Sequence, residues 1–197
     1  MRILIPLASL WLLATVSAQS VLPPFNSTYQ VVKVGGGLGN YGGVAFAPGN
    51  PNSLLVGIYN TAAIRSLPLV RNVGGQIISF GNPTSTITVG GPDGGLAVGP
   101  NSVLFATWYG PNRLSQVKPG SLATDRVDDL GPLGIGGSVG TCAFVPAGLP
   151  GAGRFKICSW SASTMYDVPL TPDGNGTFAP GTASNPTTVV NGPEGLV

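Results

Sequence analysis

The chain has 197 residues, of which only 8% are charged, and a formal net charge of +2. Nucleic-acid binding calls for clustered Lys and Arg; here the basic residues are scattered singly, which speaks against that class. There is no histidine, so Ser-His-Asp triads, Cys-His pairs and His-ligated zinc are excluded.

The first stretch reads as a secretory signal peptide spanning 1–18. Met1-Arg2 forms a basic start, Ile3 to Val16 an apolar run, and Ser17-Ala18 a small-residue cleavage site. The run is too short and wrongly flanked for a membrane span, so the expected localisation is secreted and extracellular, with no membrane span and no nucleic-acid partner. The chain as a whole is rich in Gly (31) and Pro (19), and its mature part has plentiful β-branched and aromatic residues. That composition predicts many short strands joined by tight turns, not disorder.

After a lead-in at 19–41, which holds a candidate ring-closing strand, a repeat of about 50 residues begins. "GGVAFAP" (42–48), "GGLAVGP" (94–100) and "GTCAFVP" (140–146) share a frame in which Val44, Leu96 and Cys142 are equivalent. Each is followed by a second strand: "SLLVGIY" (53–59), "SVLFATW" (102–108) and "RFKICSW" (154–160). Third strands come next at 62–70, 112–120 and 164–172, where Leu67-Pro68-Leu69 matches Val168-Pro169-Leu170. Fourth strands are weaker: at 75–81, around Thr124 to Leu130, and after Gly176. Four short antiparallel strands per repeat predict an all-β fold of β-propeller blades at 42–93, 94–139 and 140–191. A β-sandwich has similar turn spacing but does not require whole units to recur in frame. "GPEGLV" (192–197) aligns with the lead-ins and is expected to open a fourth blade, making this an incomplete ring.

"GPDGGLAVGPNSVLFAT" (91–107) resembles a blade of the NHL/gluconolactonase-like six-bladed propellers, whose blades open Pro-x-Gly-(Val/Ile/Leu)-Ala. The resemblance implies a fold and not an activity. Members of that group build a metal site from acids and Asn near first-strand starts, and here Asp93 and Glu194 are the acids so placed. The chain departs from the family pattern, since its order there is Pro-Glu-Gly and no Asn and Asp partners are identifiable. Calcium is the cation such a site would take; otherwise no cofactor is expected.

Cys142 and Cys158 flank the turn "AGLPGAG" (147–153), and their midpoint is its centre. Directly opposed cysteines in an antiparallel pair can bridge, and an export signal with an even cysteine count favours a disulfide over two buried thiols.

Tyr41 and Asp93 sit at starts of first strands, as does Glu194, and Tyr59, Trp108 and Trp160 at ends of second strands. In an antiparallel hairpin these ends coincide, so all six are expected on one face around the mouth of a central channel. They read either as a ligand-binding face with aromatic platforms or as packing between blades and turn residues. "GLGNYG" (37–42) fits G-x-G-x-x-G but precedes a strand, whereas the dinucleotide fingerprint requires a helix. "DGNGT" (173–177) has the opening of a calcium loop without its later acids; it is turn chemistry. Asn175 there and Asn26 in "NST" are N-glycosylation sequons. The sequence therefore supports a secreted, non-catalytic binding or scaffold module for an extracellular carbohydrate or protein. A divalent-cation-dependent lactonase-like hydrolase and a cell-wall or matrix structural protein are the alternatives.

Overall fold

The computed structural model describes residues 23–24, 27, 41–59, 61–108, 110–137 and 139–189. The expected signal peptide, nearly all of the lead-in and the expected start of a fourth blade at 192–197 lie outside the described residues. The chain divides into two units, Met1–Lys33 and Val34–Val197. In the first, the Ser27 hydroxyl donates to the Pro24 carbonyl at 3.3 Å. Every strand among the described residues belongs to the second.

Short apolar runs between Gly/Pro turns form the strands; β7, β8 and β10 bury both faces, whereas β15 is exposed on both. β1 (Tyr41–Ala47), β2 (Asn50–Ile58) and β3 (Ala63–Arg71) form an antiparallel meander, with β4 (Ile77–Phe80) and β5 (Ser85–Thr88) both pairing β3. The second sheet runs β6 (Pro92–Val98), β7 (Leu104–Trp108), β8 (Arg113–Val117), β9 (Arg126–Asp129). The third runs β10 (Val139–Phe144), β11 (Phe155–Ser159), β12 (Thr164–Val168), β15 (Ser184–Thr188), with a separate hairpin of β13 (Leu170–Pro172) and β14 (Phe178–Pro180). These are three propeller blades, each built on four antiparallel strands, with additional outer strands in the first and third. Val44 opposes Val56, Leu96 opposes Ala106 and Cys142 opposes Ile157, so the three lead-ins occupy equivalent positions.

The fourth strands fall where expected only in part. Segment 75–81 is not the fourth strand of its blade but the return arm of an outer hairpin: β4 pairs Leu69–Arg71, and β5 then takes the inner half of β3. Blade 3 repeats the device with β13–β14 before β15. Both switches of partner occur at a proline, Pro68 and Pro169, which has no N–H for the ladder. Each proline instead accepts from a glycine, Gly81 and Gly181, at 2.8 Å. The two hairpin turns match as well. Asn72 Oδ1 accepts from the amides of Gly74 and Gln76, and Asp173 Oδ1 from those of Asn175 and Thr177. Blade 2 lacks the hairpin because Lys118-Pro119-Gly120-Ser121 turns at once, with Gly120 at φ 84° and Ser121 donating to the Lys118 carbonyl.

The blades stack face to face, and two apolar clusters hold them. Leu55 and Ile64 of blade 1 pack with Leu96, Leu104, Ala106 and Val117 of blade 2. Ala97, Phe105 and Leu114 of blade 2 pack with Cys142, Phe155, Ile157, Val168 and Phe178 of blade 3. Burying side chains of this size contributes about 1.5–3 kcal/mol each. Close approach of the first strands depends on glycine. A Cβ on Gly43 would lie 2.4 Å from the Gly94 carbonyl oxygen, and one on Gly95 would lie 2.7 Å from the Cys142 nitrogen. At the equivalent position of blade 3 stands Thr141.

The expected disulfide does not form: Cys142 and Cys158 are free and buried. Cys142 opposes Ile157, and it is Thr141 that opposes Cys158. The turn is thus centred half a residue earlier than the cysteine midpoint, which slips the pairing by one. A one-residue slip places the two side chains on opposite faces of the sheet. Burial pushes both thiols above their ordinary pKa, so little thiolate forms. Neither thiol is expected to react with a thiol reagent in the native protein, and both should titrate in unreduced denaturant. A denatured, unreduced chain with no free thiol would show that a bridge forms.

Candidate functional site

The start of β1 lies beside that of β6, so Tyr41 and Asp93 are brought together. A Cβ on Gly42, between them, would meet the Asp93 carbonyl oxygen at 2.4 Å. Tyr41 is half-exposed and Asp93 half-buried. Trp108 does not belong with Tyr59 and Trp160. By strand register it is level with Ile58 and Ser159, one position earlier, because it stands two residues after Ala106, as they do after Val56 and Ile157. Ala106, Val56 and Ile157 in turn oppose the equivalent Leu96, Val44 and Cys142. The shift turns Trp108 to the side of blade 2 that faces blade 1. Its ring lies over Gly90, its indole N–H donates to Ser115 Oγ at 2.6 Å, and the Arg113 guanidinium stacks 5.6 Å from the ring centre. Trp108 is therefore a packing residue between blades. Tyr59 is half-buried, while Trp160 is 49% exposed on the outward side of blade 3. Glu194 and Asn26 lie outside the described residues. Asn175 is exposed at the tip of the β13–β14 hairpin.

A second feature, which no sequence motif signals, fastens that hairpin to blade 2. Gln116 is fully buried on β8, and its amide pairs with the backbone of Phe178 like a short strand. Nε2 donates to the Phe178 carbonyl at 2.6 Å, and the Phe178 N–H donates to Oε1 at 2.9 Å. Around this pair, Arg126 bridges Asp128 of its own strand and Asp173 of the hairpin, and Lys118 Nζ reaches the Asn175 carbonyl. The Thr177 hydroxyl, the Asn175 and Thr177 amides and Arg126 together hold the Asp173 carboxyl well down, at about 2.

A cleft opens at the opposite end of blade 3 from Trp160, where β10 turns into β11 and β12 meets β15. It encloses about 350 Å³. Its apolar wall is Phe144, Phe155 and Phe178, grouped around Phe105 with ring centroids 4.8–6.1 Å apart. Its polar rim is Arg154, Asp167, Ser184 and Asn185. Asp167 organises that rim: it pairs with Lys156 and Arg154 and accepts from Asn185 Nδ2 at 2.8 Å. Burial alone would raise its pKa, but the bonds from Lys156 and Asn185 and the charges of Lys156 and Arg154 outweigh burial and hold the carboxyl below its usual range. The rim thus presents a fixed carboxylate, a guanidinium and an amide above aromatic rings. This geometry suits hydrogen-bonding a polar ligand that has one apolar side.

Sequence reasoning points to the strand-start end and misses this cleft. Asp167, Arg154 and Asn185 are separated along the chain and carry no motif; Asn185 stands in a sequon look-alike spoiled by the proline after it. Among the described residues, no group of three or more acids and cysteines is placed to hold a metal ion. No helix among them is long and apolar enough to cross a membrane.

No family model matches this sequence, and no curated protein matches it. Among solved structures, the chain is similar to Kuenenia stuttgartiensis hydrazine synthase, with a TM-score of 0.51 and 12% identity over 84% of this chain. The match spans 41% of that chain, and at such identity the likeness is one of fold.

Proposed function

We propose that this chain is a non-catalytic, extracellular recognition module of the NHL/gluconolactonase-like propeller type, which binds a neutral polyhydroxylated ligand such as a carbohydrate in the blade 3 cleft. The observation that carries the reading is the make-up of that cleft, an aromatic wall under a rim of paired Asp, Arg and Asn. Sugars combine an apolar ring face with hydroxyls that both donate and accept, and the two halves of the cleft match those two demands. Four other acids of blades 2 and 3 are already engaged in ion pairs. Asp125 pairs with Lys118, Asp128 and Asp173 with Arg126, and Asp129 with Arg113. Carboxylates so neutralised suit structure better than acid–base chemistry or cation ligation. The signal-peptide pattern and the exposed sequon at Asn175 support an exported, glycosylated protein.

Glycan-array binding followed by calorimetry on a hit tests the proposal. Asn185→Ala and Arg154→Ala are expected to weaken binding at least tenfold, and Trp160→Ala to leave it unchanged. Loss of binding in Trp160→Ala with the cleft variants intact would move the site to the strand-start face. A rise in melting temperature with millimolar calcium would favour the lactonase reading instead.

A further inference from the structure

The two outer hairpins close in the same way but leave different side chains spare. In the blade 1 turn Asn72 does the closing: Oδ1 accepts from the Gly74 and Gln76 amides, and Nδ2 donates to Gln76 Oε1 at 2.8 Å. Val73, a β-branched residue, follows it. In the blade 3 turn Asp173 takes that part, accepting from the Asn175 and Thr177 amides and from the Thr177 hydroxyl. Asn175 is thereby left exposed at the tip, and none of the bonds that close the turn uses its side-chain amide. The next residue is Gly176, also exposed, at φ 86°. Its N–H stands outside the closing set as well, which runs from Asp173 to the Thr177 carbonyl and from Asn175 and Thr177 to Asp173 Oδ1. Among the described residues, Asn175 alone precedes a glycine.

A side-chain amide carbon is a weak electrophile and a backbone nitrogen a weak nucleophile, so they react only when held together and unobstructed. Adjacency in the chain supplies the first condition. Glycine supplies the second, because it has no Cβ to crowd its nitrogen and its backbone turns freely. At Asn72 the reaction would first have to break three hydrogen bonds of the side chain; at Asn175 there are none to break. We propose that Asn175 is a self-modifying site, converted without an enzyme to aspartate and isoaspartate. The Gly176 nitrogen, having lost its proton to solvent base, bonds to Asn175 Cγ; the Cγ–Nδ2 bond breaks and Nδ2 leaves as ammonia. Water then opens the resulting cyclic imide at either carbonyl, so the net change takes in water and releases ammonia. The product carries a new carboxylate at the hairpin tip and lacks Nδ2, the atom to which an N-linked glycan attaches. Glycosylation and conversion therefore compete for one atom. The chemistry is independent of what the blade 3 cleft binds.

Peptide mapping by mass spectrometry tests this on the purified chain, made in a host that adds no glycan and held in warm, mildly alkaline buffer. A synthetic peptide spanning 170–181 serves as the clock. In the folded chain Asn175 is expected to convert at a rate within about tenfold of the peptide's, since no local opening is needed. Asn72 is expected to remain an amide, and a more alkaline buffer to speed the conversion at Asn175. Gly176→Ala should slow it about tenfold, because the methyl group crowds the attacking nitrogen. Alanine at φ 86° strains the turn, so Asn175→Gln is the second variant; its longer side chain forms the cyclic imide far less readily, and residue 175 should stay an amide. An Asn175 that persists while the peptide converts would overturn the proposal, since the fold would then protect the site. So would either variant converting as fast as the wild type, or conversion confined to Asn191, which precedes Gly192 outside the described residues.

Discussion

Replacing Phe105 with alanine is expected to destabilise the chain by about 3–5 kcal/mol, the range for deleting a large buried ring. Phe105 is completely buried on β7, and its ring touches Phe144, Phe155 and Phe178 at centroid distances of 5.3, 5.1 and 6.1 Å. Those three belong to blade 3, so the deletion removes the centre of the interface between two blades rather than the core of one. Collapse around the cavity is opposed by two constraints. The Gly95–Cys142 backbone contact holds the first strands apart at a fixed distance, and Gln116 fixes β14 beside the vacancy. The cost therefore belongs at the upper part of the range. Urea unfolding followed by tryptophan fluorescence and circular dichroism would read it as a drop in midpoint without a large change in slope. Val127→Ala on β9, at a side chain 43% exposed, should stay within about 0.5 kcal/mol. A shift below about 1 kcal/mol for Phe105→Ala would mean that blade 3 is not held by this cluster. A Phe105/Phe178 double-mutant cycle would then locate the coupling, since the two rings share one cavity.

How far the sequence reveals this architecture depends on the distance over which each feature acts. The frame Val44/Leu96/Cys142 is legible because it is set locally, by two small residues, an alternating strand and a proline. The same frame fails at Trp108 by a single position. The turns that follow the second strands are of equal length, but Trp108 stands two residues after Ala106 whereas Tyr59 and Trp160 stand three after Val56 and Ile157, and aligning terminal aromatics absorbs that difference unseen. The cysteines fail for a related reason. A midpoint argument resolves a turn to half a residue, and in a strand half a residue separates opposed partners from neighbours on opposite faces. The outer hairpins are hidden because β4 and β14 look like fourth strands in composition; only the partner switch at Pro68 and Pro169 distinguishes them. The cleft is illegible altogether. Arg154, Asp167 and Asn185 meet because β11, β12 and β15 are neighbours in one sheet, and nothing in their local sequence announces a shared rim.

Gln116 is the clearest case of a determinant without a local signal, and its replacement should have the second large effect. The residue lies 62 positions from Phe178, yet its amide supplies both a donor and an acceptor to that residue's backbone. With the amide gone, a buried N–H and a buried C=O lose their partners, at about 1–3 kcal/mol each. Gln116→Met keeps most of the volume and removes both hydrogen bonds, so its expected cost of about 2–5 kcal/mol measures the pairing apart from the cavity. Gln116→Glu retains an acceptor for the Phe178 N–H but turns a second acceptor, and a charge, toward the Phe178 carbonyl; it should be at least as damaging at neutral pH. The loss is also expected to be local before it is global. The remaining polar ties from blade 2 to the hairpin, Arg126–Asp173 and Lys118–Asn175, are partly exposed, and such pairs contribute little beside the Phe105–Phe178 ring contact. Hydrogen exchange in Gln116→Met should therefore accelerate first at Phe178 and along β13–β14, and proteolysis should begin at the 173–177 turn while β6–β9 stay protected. Exchange that rises uniformly over all three blades would instead show that the hairpin and the blade interface melt as one unit, with the amide acting as one contact among many.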